Sequence, residues 1–214
     1  MTDQSVEFAS LLCSRLCHDV LSPIGALGNG LELLADETSE EMRTRCLELI
    51  ADSQRAAVGK LTFFRLAFGA AGGFGDEIPG SEVRQALEGF MQGKAKVELG
   101  WMVEQPGVAR AQAKIVLNLG LIAYDALVRG GRLDVGVEGG EVVVRAEGPR
   151  VVLDGETRAV LAGEAEEAPT ARTAPAWVAR RVAEEAGGRV QLADGEAGVL
   201  LLAATLPGWA PPQA

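Results

Sequence analysis

The sequence contains little of what builds a metal site, since it has one histidine, His18, in 214 residues. Its three cysteines, Cys13, Cys17 and Cys46, are odd in number, and a fourth ligand for a thiolate metal site is hard to find. We therefore expect reduced thiols packed beside a helix seam, in a cytoplasmic protein with no metal centre of its own.

Positive charge is also scarce, because 20 Lys and Arg are outnumbered by 30 Asp and Glu, which leaves a net charge of -10. Nucleic acid and anionic membrane surfaces both attract basic patches, so we expect neither as a partner. No apolar run approaches the roughly 18 residues of a membrane-spanning helix. Residues 1–5 have no basic segment ahead of an apolar one, so we expect no secretory signal.

The single histidine lies in a segment with helical periodicity. On a wheel of about 100° per residue, its own face carries Ser14, Arg15, Ser22 and Gly25, with Leu11 as the one large apolar residue. A lone histidine is more often a core or incidental residue, but this pattern predicts an imidazole held toward water. The opposite side predicts a buried stripe made of Leu12, Leu16, Val20, Pro23, Leu27, Leu31 and Leu34.

The neighbours of His18 argue against an incidental surface position. Asp19 follows it directly, and Ser22 lies one turn later on the same face. Pro23 removes a backbone N–H and clashes with the carbonyl of Asp19, which loosens a helix at a cost of roughly 3 kcal/mol. A helix with no task would have little reason to accept that cost.

The segment around His18 resembles sequence motifs of known protein families. Residues 18–24, His-Asp-Val-Leu-Ser-Pro-Ile, resemble the H-box of histidine kinases. The longer pattern in residues 11–19, 21–23 and 29–32 resembles the ChpT-type histidine phosphotransferases of alphaproteobacteria.

The periodicity predicts a first helix from Ser5 to Ala35 and a second that ends near Phe68, with Thr38 or Ser39 as its cap. Two helices with one stripe each do not close a core, so we expect a homodimer in which two hairpins form a four-helix bundle. The stripe that the second copy would cover includes Leu16, Leu27, Leu31, Leu49, Leu61 and Phe64.

A glycine-rich stretch at residues 69–75 and Pro79-Gly80 separate two domains, which we place at 1–72 and 78–214. The second domain alternates short helical and strand patterns, which predicts an α+β sandwich with one mostly antiparallel sheet under helices. The helices are predicted at Ser81–Met91, with Ser81 as cap, Ala111–Val128 and Ala176–Ala186; the strands at Lys96–Trp101, Leu133–Val137, Glu141–Ala146, Val151–Leu153, Arg189–Ala193 and Gly198–Thr205.

That order resembles the ATP-binding (Bergerat) domain of histidine kinases, with key residues changed. Asn118 matches the first asparagine of the N-box, but Ile122 replaces the second, which helps to hold Mg²⁺ in kinases. Ala146 stands in place of the aspartate that recognises adenine, and Arg150 in place of a glycine. Residues 173–178 replace the glycine-rich phosphate box. The resemblance therefore implies a degenerate domain that binds no ATP and no other cofactor.

The resemblance implies a phosphorelay protein in which His18 carries the phosphoryl group. It implies transfer from the receiver domain of a hybrid histidine kinase to downstream response regulators. Asp19 would accept a proton or fix the ring tautomer, and Ser22 would hydrogen-bond the ring or the incoming group. The acidic pocket of the receiver would supply Mg²⁺. The face that docks the receiver would comprise Leu11, Ser14, Arg15, Ser22 and Gly25.

Two alternatives stay open on the sequence. An ATP-dependent autokinase with unusual boxes would need the nucleotide residues that are replaced here. A non-catalytic dimeric adaptor that binds a receiver would not need His18.

Overall fold

The computed structural model describes residues 4–69, 77–92, 96–165 and 168–207. Its N-terminal part is a hairpin of two long helices, α1 (Gln4–Asp36) and α2 (Glu40–Phe68). Both agree with the predicted spans to within a residue or two. Pro23 lies inside α1, which continues through it without a break.

The cap of α2 lies at one of the two predicted residues, but its side chain does not supply the capping bond. Ser39 is the N-cap of α2, but its side chain makes no cap hydrogen bond. Instead, a carboxylate oxygen of Glu37 accepts hydrogen bonds from the backbone N–H groups of Thr38 and Ser39, at 2.9 and 2.8 Å. A carboxylate is well placed there because unpaired N–H groups and the positive end of the helix dipole coincide.

The C-terminal part is an α+β domain, as predicted. A five-stranded sheet has the order β2-β4-β5-β7-β6, and β1 and β3 form a separate antiparallel pair. Only β2 and β4 pair in parallel within the larger sheet. The elements are β1 (Glu77–Pro79), α3 (Gly80–Met91), β2 (Val97–Met102), β3 (Gly107–Ala109), α4 (Arg110–Ala126), β4 (Gly131–Glu138), β5 (Glu141–Glu147), α5 (Gly155–Ala162), α6 (Ala174–Glu185), β6 (Arg189–Asp194) and β7 (Val199–Thr205).

The predicted hairpin is present as β4 and β5, which pair antiparallel around Gly139 and Gly140. Gly139 adopts a φ of 55°, in the left-handed region that glycine reaches without steric cost. Other details of the prediction differ from the structure. The α3 helix begins at Gly80 after Pro79, so Ser81 is not its cap. Residues 151–153 form a single bridge through Val151 rather than a strand. The α5 helix and the short strands β1 and β3 were not predicted.

The core of the C-terminal domain extends into the hairpin. Alternate residues of the sheet strands pack under α4 and α6, and the same cluster continues through the last turns of α2. The Phe63 ring lies 4.5 Å from that of Phe90 in α3, and the Phe64 ring lies 5.7 Å from it. Phe64 is only 1% exposed, so the prediction that it belongs to an uncovered hairpin stripe is wrong.

Two further contacts hold the hairpin against the domain. A Cβ on Gly59 of α2 would collide with the backbone carbonyl of Gly89 in α3, so only glycine allows this close approach. Asn118 of α4 donates from Nδ2 to the carbonyl of Ala67 at 3.2 Å. These contacts fix where α1, which packs along α2, lies relative to the sheet domain.

Candidate functional site

The structure places His18 on the outer face of α1, where helical periodicity predicts it. Its side chain is 85% exposed, whereas Val20 and Pro23 on the opposite side are buried. A second macromolecule can therefore reach the imidazole without any rearrangement of the helix.

Asp19 contacts the ring despite the 100° that separates adjacent helical positions. Its Oδ1 lies 3.2 Å from His18 Nδ1, and its Oδ2 accepts a hydrogen bond from Arg15 Nε at 2.8 Å. A carboxylate accepts hydrogen bonds only, so the contact favours the tautomer with the proton on Nδ1. Nε2 then carries the lone pair that a nucleophile needs.

Arg15 connects this group to the C-terminal domain. Its NH2 group donates to Asp125 Oδ2 of α4 at 2.8 Å, and its side chain is only 14% exposed. Burial by itself would lower the pKa of Arg15, but the charges and hydrogen bonds of Asp125 and Asp19 together raise it above its ordinary value. The guanidinium is therefore charged at neutral pH and is held by two carboxylates.

The carbonyl of Asp19 has a partner outside its own helix. Pro23 has no N–H to donate to the residue four positions earlier. The Lys60 ammonium of α2 donates to the Asp19 carbonyl at 2.8 Å and lies 5.9 Å from the centroid of the Phe90 ring. Lys60 thus satisfies the carbonyl that the proline leaves open.

A cleft of about 700 Å³ separates α1 from the C-terminal domain. His18 and Ser14 line one side, and Ile122, Asp125 and Pro175 line the other. The His18 face of α1 and the region that resembles the kinase nucleotide site therefore open into one space.

The residues at the positions that resemble the kinase nucleotide boxes do not offer the groups that magnesium and nucleotide phosphates need. Asn118 is fully buried and donates to the carbonyls of Ala67 and Lys114 rather than into the cleft. Ala146 offers no polar group to a base. Pro175 lies in the first turn of α6 and removes one of the N–H groups that would bind a phosphate there.

The residues predicted for docking differ in accessibility. Ser14, Ser22 and Gly25 are exposed, and a Cβ at Gly25 would meet nothing within 4 Å. Leu11 is half-buried. Arg15 lies on the predicted face, but its donors are engaged by Asp19 and Asp125, so the structure gives it an internal role that the sequence did not predict.

Sequence reasoning missed Asp125 and Lys60, which are separated from their partners by 110 and 41 positions. The cysteines also differ from expectation, since Cys13 and Cys17 are exposed and only Cys46 is buried. Within the ranges that the structure describes, no group of three or more His, Cys, Asp or Glu is arranged to hold a metal ion. Within the same ranges, no helix has the length and apolar character needed to cross a bilayer.

Comparison with known proteins gives a consistent result. A family described as histidine phosphotransferase C-terminal domain matches residues 80–198. The protein phosphotransferase ChpT of Brucella abortus is 37% identical over 138 residues, and the match covers 64% of this chain and 64% of that protein. A solved structure of a bacterial phosphotransferase is 31% identical, with a TM-score of 0.81, over 95% of this chain and 98% of that one. The chain therefore belongs to the ChpT-type histidine phosphotransferases.

Proposed function

We propose that the protein relays phosphoryl groups in a multistep phosphorelay. His18 takes the group from a receiver aspartate of a hybrid histidine kinase and passes it to the receiver aspartate of a downstream response regulator. The observation that carries the proposal is an 85% exposed imidazole whose Nδ1 faces a carboxylate. Family membership and the relationship to ChpT support it. The unpaired cysteines are consistent with a cytoplasmic location.

The geometry fits a direct transfer between side chains. The lone pair of His18 Nε2 attacks the phosphorus of the receiver's aspartyl phosphate in line with the bond to the carboxylate oxygen. The N–P bond forms as that O–P bond breaks, and the receiver's carboxylate leaves. The positive charge that develops on the ring is stabilised by Asp19, which keeps the Nδ1 proton hydrogen-bonded. Transfer to the next receiver is the reverse of this step.

In this proposal the magnesium ion would be held by the receiver, where it would neutralise charge on the phosphoryl oxygens during transfer. Asp19, the carboxylate beside His18, is not proposed as a ligand of the ion, because its two oxygens already contact Arg15 and the His18 ring. Ser22, exposed one turn away, is free to approach an incoming phosphoryl oxygen from the same face.

The receiver docks on the exposed part of the His18 face, through Ser14, Ser22 and Gly25. Leu11 adds an apolar edge. Because the cleft continues from this face to the C-terminal domain, that domain forms a second wall beside the bound receiver. Arg15 contributes through its internal bonds rather than as a free cation.

The test is a relay reconstituted from two purified receivers, one of them loaded with labelled phosphoryl. Wild-type protein should carry the label to the second receiver, and His18→Ala should stop it. ATP with Mg²⁺ alone should leave the protein unlabelled. Asn118 donates to backbone carbonyls, and Ile122 and Ala146 have no polar side-chain group to offer a nucleotide. Relay by His18→Ala would refute the proposal, and labelling of His18 from ATP would support the autokinase alternative instead.

A further inference from the structure

We propose that Asp125 is a positioning residue for His18, acting from the C-terminal domain through Arg15 and Asp19. This inference rests on the proposed function, because it concerns how the phosphoryl-accepting ring is oriented. It assigns the α4 carboxylate a role that neither the sequence pattern nor the resemblance gives it.

Four side chains form an unbroken chain of contacts between the two parts of the molecule. Asp125 Oδ2 accepts from Arg15 NH2 at 2.8 Å, Arg15 Nε donates to Asp19 Oδ2 at 2.8 Å, and Asp19 Oδ1 lies 3.2 Å from His18 Nδ1. The two central side chains, Arg15 and Asp19, are only 14% and 15% exposed. Charges shielded from water in this way interact more strongly than pairs on an open surface.

The geometry shows how Asp125 controls which oxygen of Asp19 is available to the His18 ring. An arginine can engage both oxygens of one carboxylate through two parallel N–H donors. Here Asp125 holds NH2, so Arg15 reaches Asp19 through Nε at one oxygen only. That arrangement leaves Asp19 Oδ1 for His18. Without Asp125, the guanidinium is free to turn and engage both oxygens of Asp19, in competition with the imidazole.

The competition has a chemical consequence. When Nδ1–H donates to Asp19, Nε2 keeps its lone pair and remains the exposed nucleophile. When that contact is lost, the proton is free to occupy Nε2, which removes the lone pair from the attacking atom. Asp125 therefore influences the reaction without contacting the phosphoryl group.

The experiment uses the fact that His18 is the only histidine in the chain. Selective ¹⁵N labelling of histidine gives one pair of ring-nitrogen resonances, whose chemical shifts report the tautomer without any partner present. We expect the Nδ1–H tautomer to predominate in the wild type and to lose population in Asp125→Ala, which removes the acceptor for Arg15 NH2. Asp125→Asn should lose less, because its amide oxygen can still accept that hydrogen bond. Asp125→Glu, which keeps a carboxylate within reach, should restore part of it.

The same variants are then assayed in single-turnover transfer from a phosphorylated receiver. Asp125→Ala should slow the transfer step on the order of tenfold, as expected for a misplaced reactive group, with little change in receiver affinity. In an Arg15→Met background, Asp125→Ala should have no further effect, because its route to the ring is already cut. Glu88→Ala is the matched control: Glu88 pairs with Arg84 at 2.8 Å and is 42% exposed, close to the 47% of Asp125, but it lies in α3.

The inference is overturned if folded Asp125→Ala keeps the wild-type tautomer population. It is also overturned if Asp125→Ala slows transfer as much in Arg15→Met as in the wild type, which would indicate direct contact with the receiver. If the wild type accepts no label, the proposed function fails, and the tautomer measurement still decides the positioning role of Asp125.

Discussion

Asp19 is bonded in three directions, each with a different partner. One carboxylate oxygen faces His18, the other accepts from Arg15, and the backbone carbonyl accepts from Lys60. The residue that follows His18 is thus held by its own helix, by α2 and, through Arg15, by α4. At the scale of single residues, we expect the reactivity of His18 to depend on this fixed neighbour.

Replacing Asp19 by Asn should therefore damage transfer more than docking. An asparagine accepts from Arg15 with its oxygen, which turns its NH2 toward His18 Nδ1 and favours the tautomer with the proton on Nε2. We expect the transfer rate to fall by about 10²-fold or more, within the range of acid–base catalysis. Single-turnover transfer at several receiver concentrations separates rate from affinity.

Asp52→Asn is the control for Asp19→Asn. Asp52 pairs with Arg55 on the exposed surface of α2, the other helix of the hairpin. Its transfer rate should match that of the wild type. A normal transfer rate in Asp19→Asn would show that the carboxylate does not set the state of His18.

At the scale of elements, α1 contains a proline that the neighbouring helix accommodates. The sequence predicted a loosened helix at Pro23, yet α1 continues through it. The reason is Lys60, which supplies the hydrogen bond that the proline cannot. The proline thus makes the two helices depend on each other at the level of His18.

This pairing predicts a coupled effect on stability. Lys60→Met should lower the free energy of unfolding by about 1–2 kcal/mol, because a hydrogen bond from a charged donor is lost and the carbonyl is left open. In Pro23→Ala, the new backbone N–H can reach Asp19, so Lys60→Met should cost less there, by about 1 kcal/mol.

Urea denaturation of the four variants at one fixed protein concentration measures this coupling. Arg45→Met, which removes an exposed pair with Glu41 in α2, is the control and should be nearly neutral. Equal costs of Lys60→Met with and without Pro23 would contradict the account.

The elements were largely predictable because their signals are local. Periodicity placed α1, α2 and the outward position of His18, and Gly139-Gly140 marked the β4–β5 turn. The contacts that organise the site were not predictable, since Arg15–Asp125 and Asp19–Lys60 depend on how separate helices pack. The wheel shows that Arg15 faces outward from α1, but not that α4 lies opposite and takes it as a partner. For the same reason, periodicity assigns Phe64 to the uncovered apolar stripe of the hairpin, although Phe90 of α3 packs against it.

At the scale of the whole molecule, the hairpin retains an apolar surface that its own domain does not cover. Leu21 and Ile24 of α1 are 66% and 50% exposed, and large apolar residues of both helices share this property: Leu31, Leu33, Met42, Leu47, Leu49, Val58 and Leu61. Burying such side chains fully is worth roughly 1.5–3 kcal/mol each. Leu16 and Leu27, also predicted for the stripe, are half-buried within the chain.

We therefore expect a homodimer through the hairpins at micromolar concentration. Ile24→Asp, Leu31→Asp or Leu61→Asp should shift it to monomer, because a charge would enter the apolar interface. Met102→Asp is the control, since Met102 is 61% exposed on β2, away from the hairpin. Sedimentation velocity distinguishes the states, and a wild type that stays monomeric at tens of micromolar would contradict the expectation.

The central claim is that His18 carries the phosphoryl group, and the chemistry of the bond tests it most directly. Wild-type protein is incubated with a phosphorylated receiver and Mg²⁺, and the modified peptide is sequenced by mass spectrometry under alkaline conditions. We predict one phosphoryl group on His18, in a linkage that survives alkali and is lost in acid, as a phosphoramidate is. A phosphoryl group found on any other residue of this chain, or a linkage stable to acid, would contradict the account.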